Sequence, residues 1–168
     1  EAAPGNELIR LRGVRVKDHE GRSASSVDGR YPVFVEIEYV ILRASPVRTA
    51  FRLATAEGVI IFTSTDVDDE GRHGRERDPG VYVSRCEIPP RLLKRGMHFV
   101  TVMSDISMVR VNFHLENVVK FSVDVVEGMF EDNRQGVLSP AFYWDVEKVS
   151  DLDGVVGRDD ASADGFAL

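Results

Sequence analysis

The stretch Gly80–Val102, GVYVSRCEIPPRLLKRGMHFVTV, decides how this chain is read. Two runs rich in Val, Tyr and Phe flank the polar segment IPPRLLKRG. In VYVSRCEI every second residue is apolar or small, the period of a strand with one face covered. Pro89 and Pro90 then stop the strand, because proline cannot extend a hydrogen-bonded ladder. Leu92 and Leu93 are placed to cap the open end of a core, and Gly96 lets the chain turn into HFVTVMSD. PPRLLKR is the only segment of the chain that reads as a helical turn.

The same two-residue period runs outward in both directions. YPVFVEIEYVIL is the strongest strand, with Val33, Val35, Ile37, Tyr39 and Ile41 on one face and Glu36 and Glu38 on the other. Pro32 stands at its start, where proline is tolerated. ELIRLRGVRVKD alternates but slips phase at Gly13, as a β-bulge would make it. TAFRLATAEGVIIFTSTD predicts a hairpin turning at Glu57–Gly58. SMVRVNFHLENVVKFSVDVV holds one or two strands, the second built on Val119, Phe121, Val123 and Val125. GVLSPAFYWDVEKV predicts a last strand carrying Trp144. Strands at this spacing without helical crossovers predict an all-β fold, antiparallel sheets of eight to ten strands packed as a sandwich. The expected core is Val35, Ile37, Tyr39, Leu53, Tyr82, Cys86, Val100, Val102, Phe121 and Val123.

Length and composition are consistent with this. A chain of 168 residues is one domain with tails. Residues 1–7 read as a linker, 8–149 as the sandwich and 150–168 as an acidic tail; DLDGVVGRDDASADGFAL carries five Asp and little packing material. The missing initiator Met suggests a piece of something longer. The net charge of −7 argues against a non-specific nucleic-acid binder, which needs a basic face to neutralise phosphates. A single cysteine, Cys86, forms no internal disulfide and reads as a small buried hydrophobe. No apolar run approaches the ~20 residues of a membrane helix.

Chemistry-bearing motifs are mostly missing. There is no phosphate loop, no nucleophile elbow, no HExxH and no cysteine pair for zinc. His19 and His73 lie in polar loops, and His98 and His114 in strands, with no spacing that implies a metal. DVDDEGRHGRERD begins like a calcium loop at Asp66, Asp68 and Glu70. It then places Arg77 where the bidentate Glu must stand. It reads as a solvated charged loop. The expectation is therefore no enzyme, no cofactor and no metal site.

The order of motifs resembles the C-terminal domain of Wzt-type proteins, the ATP-binding subunits of ABC transporters that export O-antigen and related polysaccharides. The residues that carry the resemblance are Gly80 and Tyr82, then Cys86 before Ile88-Pro89, and Leu92, Leu93 and Gly96. Phe121 and Val123 follow, and then the closing Gly136, Pro140 and Trp144. It spans roughly Leu8 to Val149. His98 departs from it, standing where the family more usually has Tyr. The resemblance implies an immunoglobulin-like, dimeric, cytoplasmic domain at the inner face of the inner membrane. It would bind the modified non-reducing end of a finished glycan and act beside transporter ATPase and membrane subunits. The alternative is a sandwich for protein interaction or dimerisation without a glycan ligand.

Strand phase gives the candidate site. If Phe51 and Leu53 face inward, Arg52 faces out. If His98, Val100 and Val102 face inward, Met97, Phe99 and Thr101 face out. If Phe121 and Val123 face inward, Lys120 and Ser122 face out. In an immunoglobulin-like order these three strands are neighbours. Arg52, Phe99, Thr101, Lys120 and Ser122 then form one carbohydrate-binding patch. Phe99 would stack on a sugar ring, and Arg52 and Lys120 would bond hydroxyls or an acidic terminal group. A dimer contact or a contact with an ATPase domain competes for Phe99 and Met97, and the loop Asp66–Asp78 is the second place for a site. Phe142, Tyr143 and Trp144 cannot all face one core, and the family suggests exchange of this last strand between protomers.

Overall fold

A computed structural model describes residues 3–68, 74–124 and 135–148. Eight strands are formed among them, and no helix. They are β1 (Ile9–Lys17), β2 (Ser26–Asp28), β3 (Val33–Ile41), β4 (Arg48–Thr55), β5 (Ile60–Thr65), β6 (Gly80–Ile88), β7 (Gly96–Ile106) and β8 (Arg110–Asp124). One sheet has the order β1-β3-β6 and the other β2-β8-β7-β4-β5. All pairings are antiparallel except that of the short β2 with β8. The expected β-sandwich is the observed fold.

The alternating positions supply the core between the sheets. Ile9, Leu11 and Val16 of β1 and Val33, Val35, Ile37, Tyr39 and Ile41 of β3 meet Phe51, Leu53, Val100, Val102, Phe121 and Val123 of the opposite sheet. The phase slip at Gly13 is a register shift between Leu11 and Gly13 against β3. On the outer face of β3, Glu36 is covered and bonded by Lys17 at 3.0 Å and by Arg85 Nε at 2.7 Å. Two opposite charges on the flanking strands explain how a carboxylate lies flat against this sheet.

Three expectations change. PPRLLKR is not helical; it forms a turn in which Arg91 has φ of 58° and Leu93 bridges Leu138. Two adjacent prolines remove two backbone donors, so Leu93 is held by burial and by that bridge instead. Tyr82 and Cys86 pack against the core but stay half-buried, because β6 is the last strand of its sheet. The final segment forms no ladder beyond the Leu93–Leu138 bridge and the bond from Ser139 N to Leu92 O, at 2.9 Å. Residues 139–148 carry no regular structure, and Phe142, Tyr143, Trp144 and Val146 stand in solvent. Val125, His73, Val149 and the acidic tail lie outside the described residues.

Candidate functional site

The outer face of the five-stranded sheet is built by pairing. Strands β4, β7 and β8 are neighbours, in the order β8-β7-β4. Arg52 is paired with Thr101 on one side and with Thr63 on the other. One row along, Phe99 lies between Lys120 and Ala54. One row further, Met97 is opposite Ser122, which is opposite Ser26 of β2. Phe51, Leu53, His98, Val100, Val102, Phe121 and Val123 are all buried on the other face, as strand phase predicts. The five candidate residues therefore share one face of three adjacent strands.

They are not equivalent. Phe99 and Ser122 are half-buried and Lys120 is exposed. Thr101 is buried, and its Oγ1 accepts a hydrogen bond from Asn117 N at 3.2 Å. The cause is a register shift: Val100 is opposite Val119 but Val102 is opposite Leu115, so β8 has extra residues across from Thr101. Asn117, with φ of 51°, folds them over it. Thr101 thus shapes the floor of the patch and offers no open hydroxyl. Arg52 makes no ion pair among the described residues, and its Nε is covered without a hydrogen-bond partner. Among the described residues many other arginines are engaged: Arg12, Arg15, Arg22, Arg30, Arg48, Arg77, Arg85 and Arg110 all pair with carboxylates. A guanidinium with an orphan N–H beside a half-open aromatic ring is chemically unfinished. A covered donor without a partner costs about 1–3 kcal/mol.

A second concavity, which sequence phase alone does not show, opens between the edges β5 and β6. It has a volume of about 740 Å³, and its lining includes Tyr39, Thr49, Ser64, Asp66, Arg77, Tyr82, Ser84 and Cys86. At its polar end Asp66 Oδ2 accepts from Thr49 Oγ1 at 2.6 Å, Ser84 Oγ at 2.7 Å and Arg77 Nη1 at 2.8 Å. Asp66 Oδ1 accepts from Thr49 N at 3.0 Å. Arg77 also donates to Tyr39 OH, which lies 3.0 Å from Ser84 Oγ. Burial pushes the Asp66 carboxyl up, but the bonds from Arg77, Thr49 and Ser84 outweigh it and hold the group below its ordinary range. Both Asp66 oxygens, the Thr49 and Ser84 hydroxyls and the Tyr39 phenol all have partners, so the cluster ties the start of the charged loop to the sandwich. Burial raises the Cys86 thiol, the opposite of what a reactive thiolate needs. Among the described residues no group of His, Cys, Asp and Glu is placed to hold a metal.

No family model matches the sequence, and no curated protein matches it. Among solved structures, the C-terminal domain of Wzt superposes with a TM-score of 0.65 over 85% of this chain and 86% of that one, at 13% identity. This chain has the fold of the Wzt C-terminal domain. At 13% identity that likeness fixes the path of the strands and no side chain of the site. A CARDB domain from Pyrococcus furiosus, crystallised with di-metal ions, covers 73% of this chain at 18% identity with a TM-score of 0.39, too loose a superposition to build on. The Wzt likeness agrees with the motif order of the opening stretch, whose prolines end β6 and whose Gly96 starts β7.

Proposed function

We propose that this domain is a non-catalytic carbohydrate-binding module that recognises the modified non-reducing end of a bacterial polysaccharide for export by an ABC transporter. The observation that carries the reading is Arg52, its Nε covered and unpartnered, on the same open sheet face as the half-open ring of Phe99. Sugar sites combine planar apolar groups with a few placed polar groups. Phe99 supplies the plane, with Ala54 beside it leaving room above the sheet, and Arg52, Lys120 and Ser122 supply the donors. Thr101 acts through position, holding the β8 bulge against β7. The Wzt-like fold and the motif order support the transporter setting, which places the domain in the cytoplasm at the inner face of the inner membrane with ATPase and membrane subunits as partners. No helix among the described residues is long and apolar enough to cross a membrane.

The test is a glycan array of bacterial polysaccharides followed by calorimetric titration of Phe99→Ala and Arg52→Ala, with circular dichroism as the folding control. Each substitution weakens binding while leaving the fold intact. Unchanged affinity in both variants would remove the site from this face.

A dimerisation role is favoured by a separate observation. Phe142, Trp144 and Val146 are 75%, 81% and 88% exposed and lie two residues apart, so in a strand they form one apolar face. The cleft between β5 and β6 leaves the core-facing Tyr82 and Cys86 half open. Ser139–Lys148, extended at about 3.3 Å per residue, matches the length of the nine-residue β6. We place the segment of one protomer along β6 of its partner, closing both exposed surfaces by strand exchange. Light scattering that shows a clean monomer at high concentration would refute it.

A further inference from the structure

The candidate patch does not end at Ser122. On β8 the outward positions continue from Lys120 through Ser122 to Asp124, and on β2 from Ser26 to Asp28, since Val27, Phe121 and Val123 between them are buried. Ser26 is opposite Ser122 and Asp28 opposite Asp124, and Ser26 Oγ donates to Asp124 across the pair. The Asp28 carboxylate is gripped by Arg30, with Nε 3.0 and 3.1 Å from its two oxygens. The Arg30 guanidinium in turn lies 5.7 Å from the centre of the Tyr31 ring. Tyr31 stacks on His19 with ring centres 4.0 Å apart and planes 12° from parallel, and 42% of its surface is open. These contacts hold a planar aromatic pair, flanked by a cation and a carboxylate, at the rim of the sheet that carries Phe99.

Nothing in the core explains that stack. Tyr31 and His19 belong to the turns on either side of β2, outside the cluster of buried residues. Isolated surface aromatics are ordinary, but here two rings stack on each other beside a guanidinium that a bidentate Arg–Asp bridge holds in place. From Phe99 to Asp28 the path runs two strand spacings across and four residues along, roughly 16 Å. The ground between is Ser122, Ser26 and Asp124, all small or hydrogen-bonding.

We propose that His19, Tyr31 and Arg30 form a second saccharide contact, so that the outer face binds an extended oligosaccharide of several units, with Phe99 at one end and the His19–Tyr31 stack at the other. The proposal rests on the carbohydrate-binding reading of the Phe99 patch and adds to it the length of the ligand. Neutral or hydroxyl-rich units suit the serine and carboxylate ground, because the outward Asp124 carboxylate repels an anionic backbone there, while Arg30 meets the charge of Asp28.

The experiment uses the polysaccharide that binds the domain on a bacterial glycan array. It is cut into fragments shorter and longer than the ~16 Å interval. Both classes are titrated by calorimetry against the unaltered domain and against Tyr31→Ala, His19→Ala and Phe99→Ala, with circular dichroism confirming the fold of each. Tyr31→Ala and His19→Ala are expected to weaken the long fragments about five-fold and leave the short ones unchanged, an effect the size of one aromatic contact. Phe99→Ala weakens both classes. If Phe99→Ala weakens binding and neither rim variant does, the second contact is wrong and the carbohydrate-binding reading stands. Equal weakening of short and long fragments by Tyr31→Ala overturns the spacing argument. If neither class binds the unaltered domain, both readings fall; if both classes bind and no variant changes affinity, the glycan site lies off this face and the second contact falls with it.

Discussion

Asp66 and Arg77 meet at 2.8 Å at the mouth of the cleft, one just after β5 and the other just before β6. Their side chains keep only 13% and 18% of their surface exposed. A pair so placed is costly to break from one side, because the remaining charge stays covered. Arg77→Ala is expected to lower stability by about 3 kcal/mol, read as a shift in the urea midpoint. The sign with pH follows from the depressed Asp66 carboxyl. Its contribution is complete above the ordinary value of 3.8 and is lost as pH falls through the lower folded value. Asp66→Asn therefore lowers stability at neutral pH and flattens the acid limb below pH 3.8. An acid limb identical to that of the unaltered protein would contradict this.

His98 supplies a second, milder acid dependence. It is buried, stacks on Phe121 with ring centres 5.4 Å apart, and has Nδ1 3.1 Å from Gly96 O. Burial pulls its pKa below the ordinary 6.5, and the Gly96 carbonyl only partly offsets this. The folded protein keeps the ring neutral, while the unfolded chain takes up a proton as pH falls past 6.5. Stability thus drops from pH 6.5 downward until the folded ring also titrates. His98→Phe keeps an aromatic ring against Phe121 and removes the titration. Its melting temperature should vary less with pH in that window, whatever its absolute value.

Trp144 is the chain's one tryptophan, 81% exposed in a single protomer, so its fluorescence reports on strand exchange. With the strand seated on a partner, emission shifts to the blue at high concentration and returns to the red on dilution. Cys86 lines the cleft and gives an independent readout. Its labelling by a thiol reagent should speed up when residues 137–168 are deleted. A concentration-independent spectrum together with unchanged labelling would place the aromatic segment elsewhere.

Leu53 is fully buried between the sheets, whereas Val83 on the outer face of β6 is 53% exposed. Leu53→Ala is expected to cost about 3 kcal/mol in a denaturant titration. Val83→Thr should stay within about 0.5 kcal/mol. Similar losses at both positions would mean that β6 is covered on its outer face.

Strand phase is legible in this sequence wherever one face is buried. The inward sets of β3, β4, β7 and the end of β8 follow directly from a period of two, and with them the shared face of Arg52, Phe99, Lys120 and Ser122. What period cannot give is who covers whom. Thr101 has the outward phase, yet a shift in β8 lays Asn117 over it. Asp66 and Arg77 read as part of a solvated loop because their partners Tyr39, Thr49 and Ser84 lie on three other strands. PPRLLKR suggests a helical turn by composition, but two missing donors and a left-handed Arg91 make it a non-helical turn. The stack of His19 on Tyr31 joins two polar turns and leaves no periodic trace.

The phase slip at Gly13 has a consequence for assembly. At one end of β1 the free side is taken by the chain itself, where Leu11 N donates to Pro4 O at 2.8 Å. At the other end Ala24 N donates to Val16 O at 3.0 Å, and the shifted register interrupts the strand between them. An edge occupied at both ends and bent in the middle offers no template to an incoming strand. The three-stranded sheet can grow on its β6 side and nowhere else. Each copy therefore has a single open edge in this sheet, and an added strand can extend it on one side only.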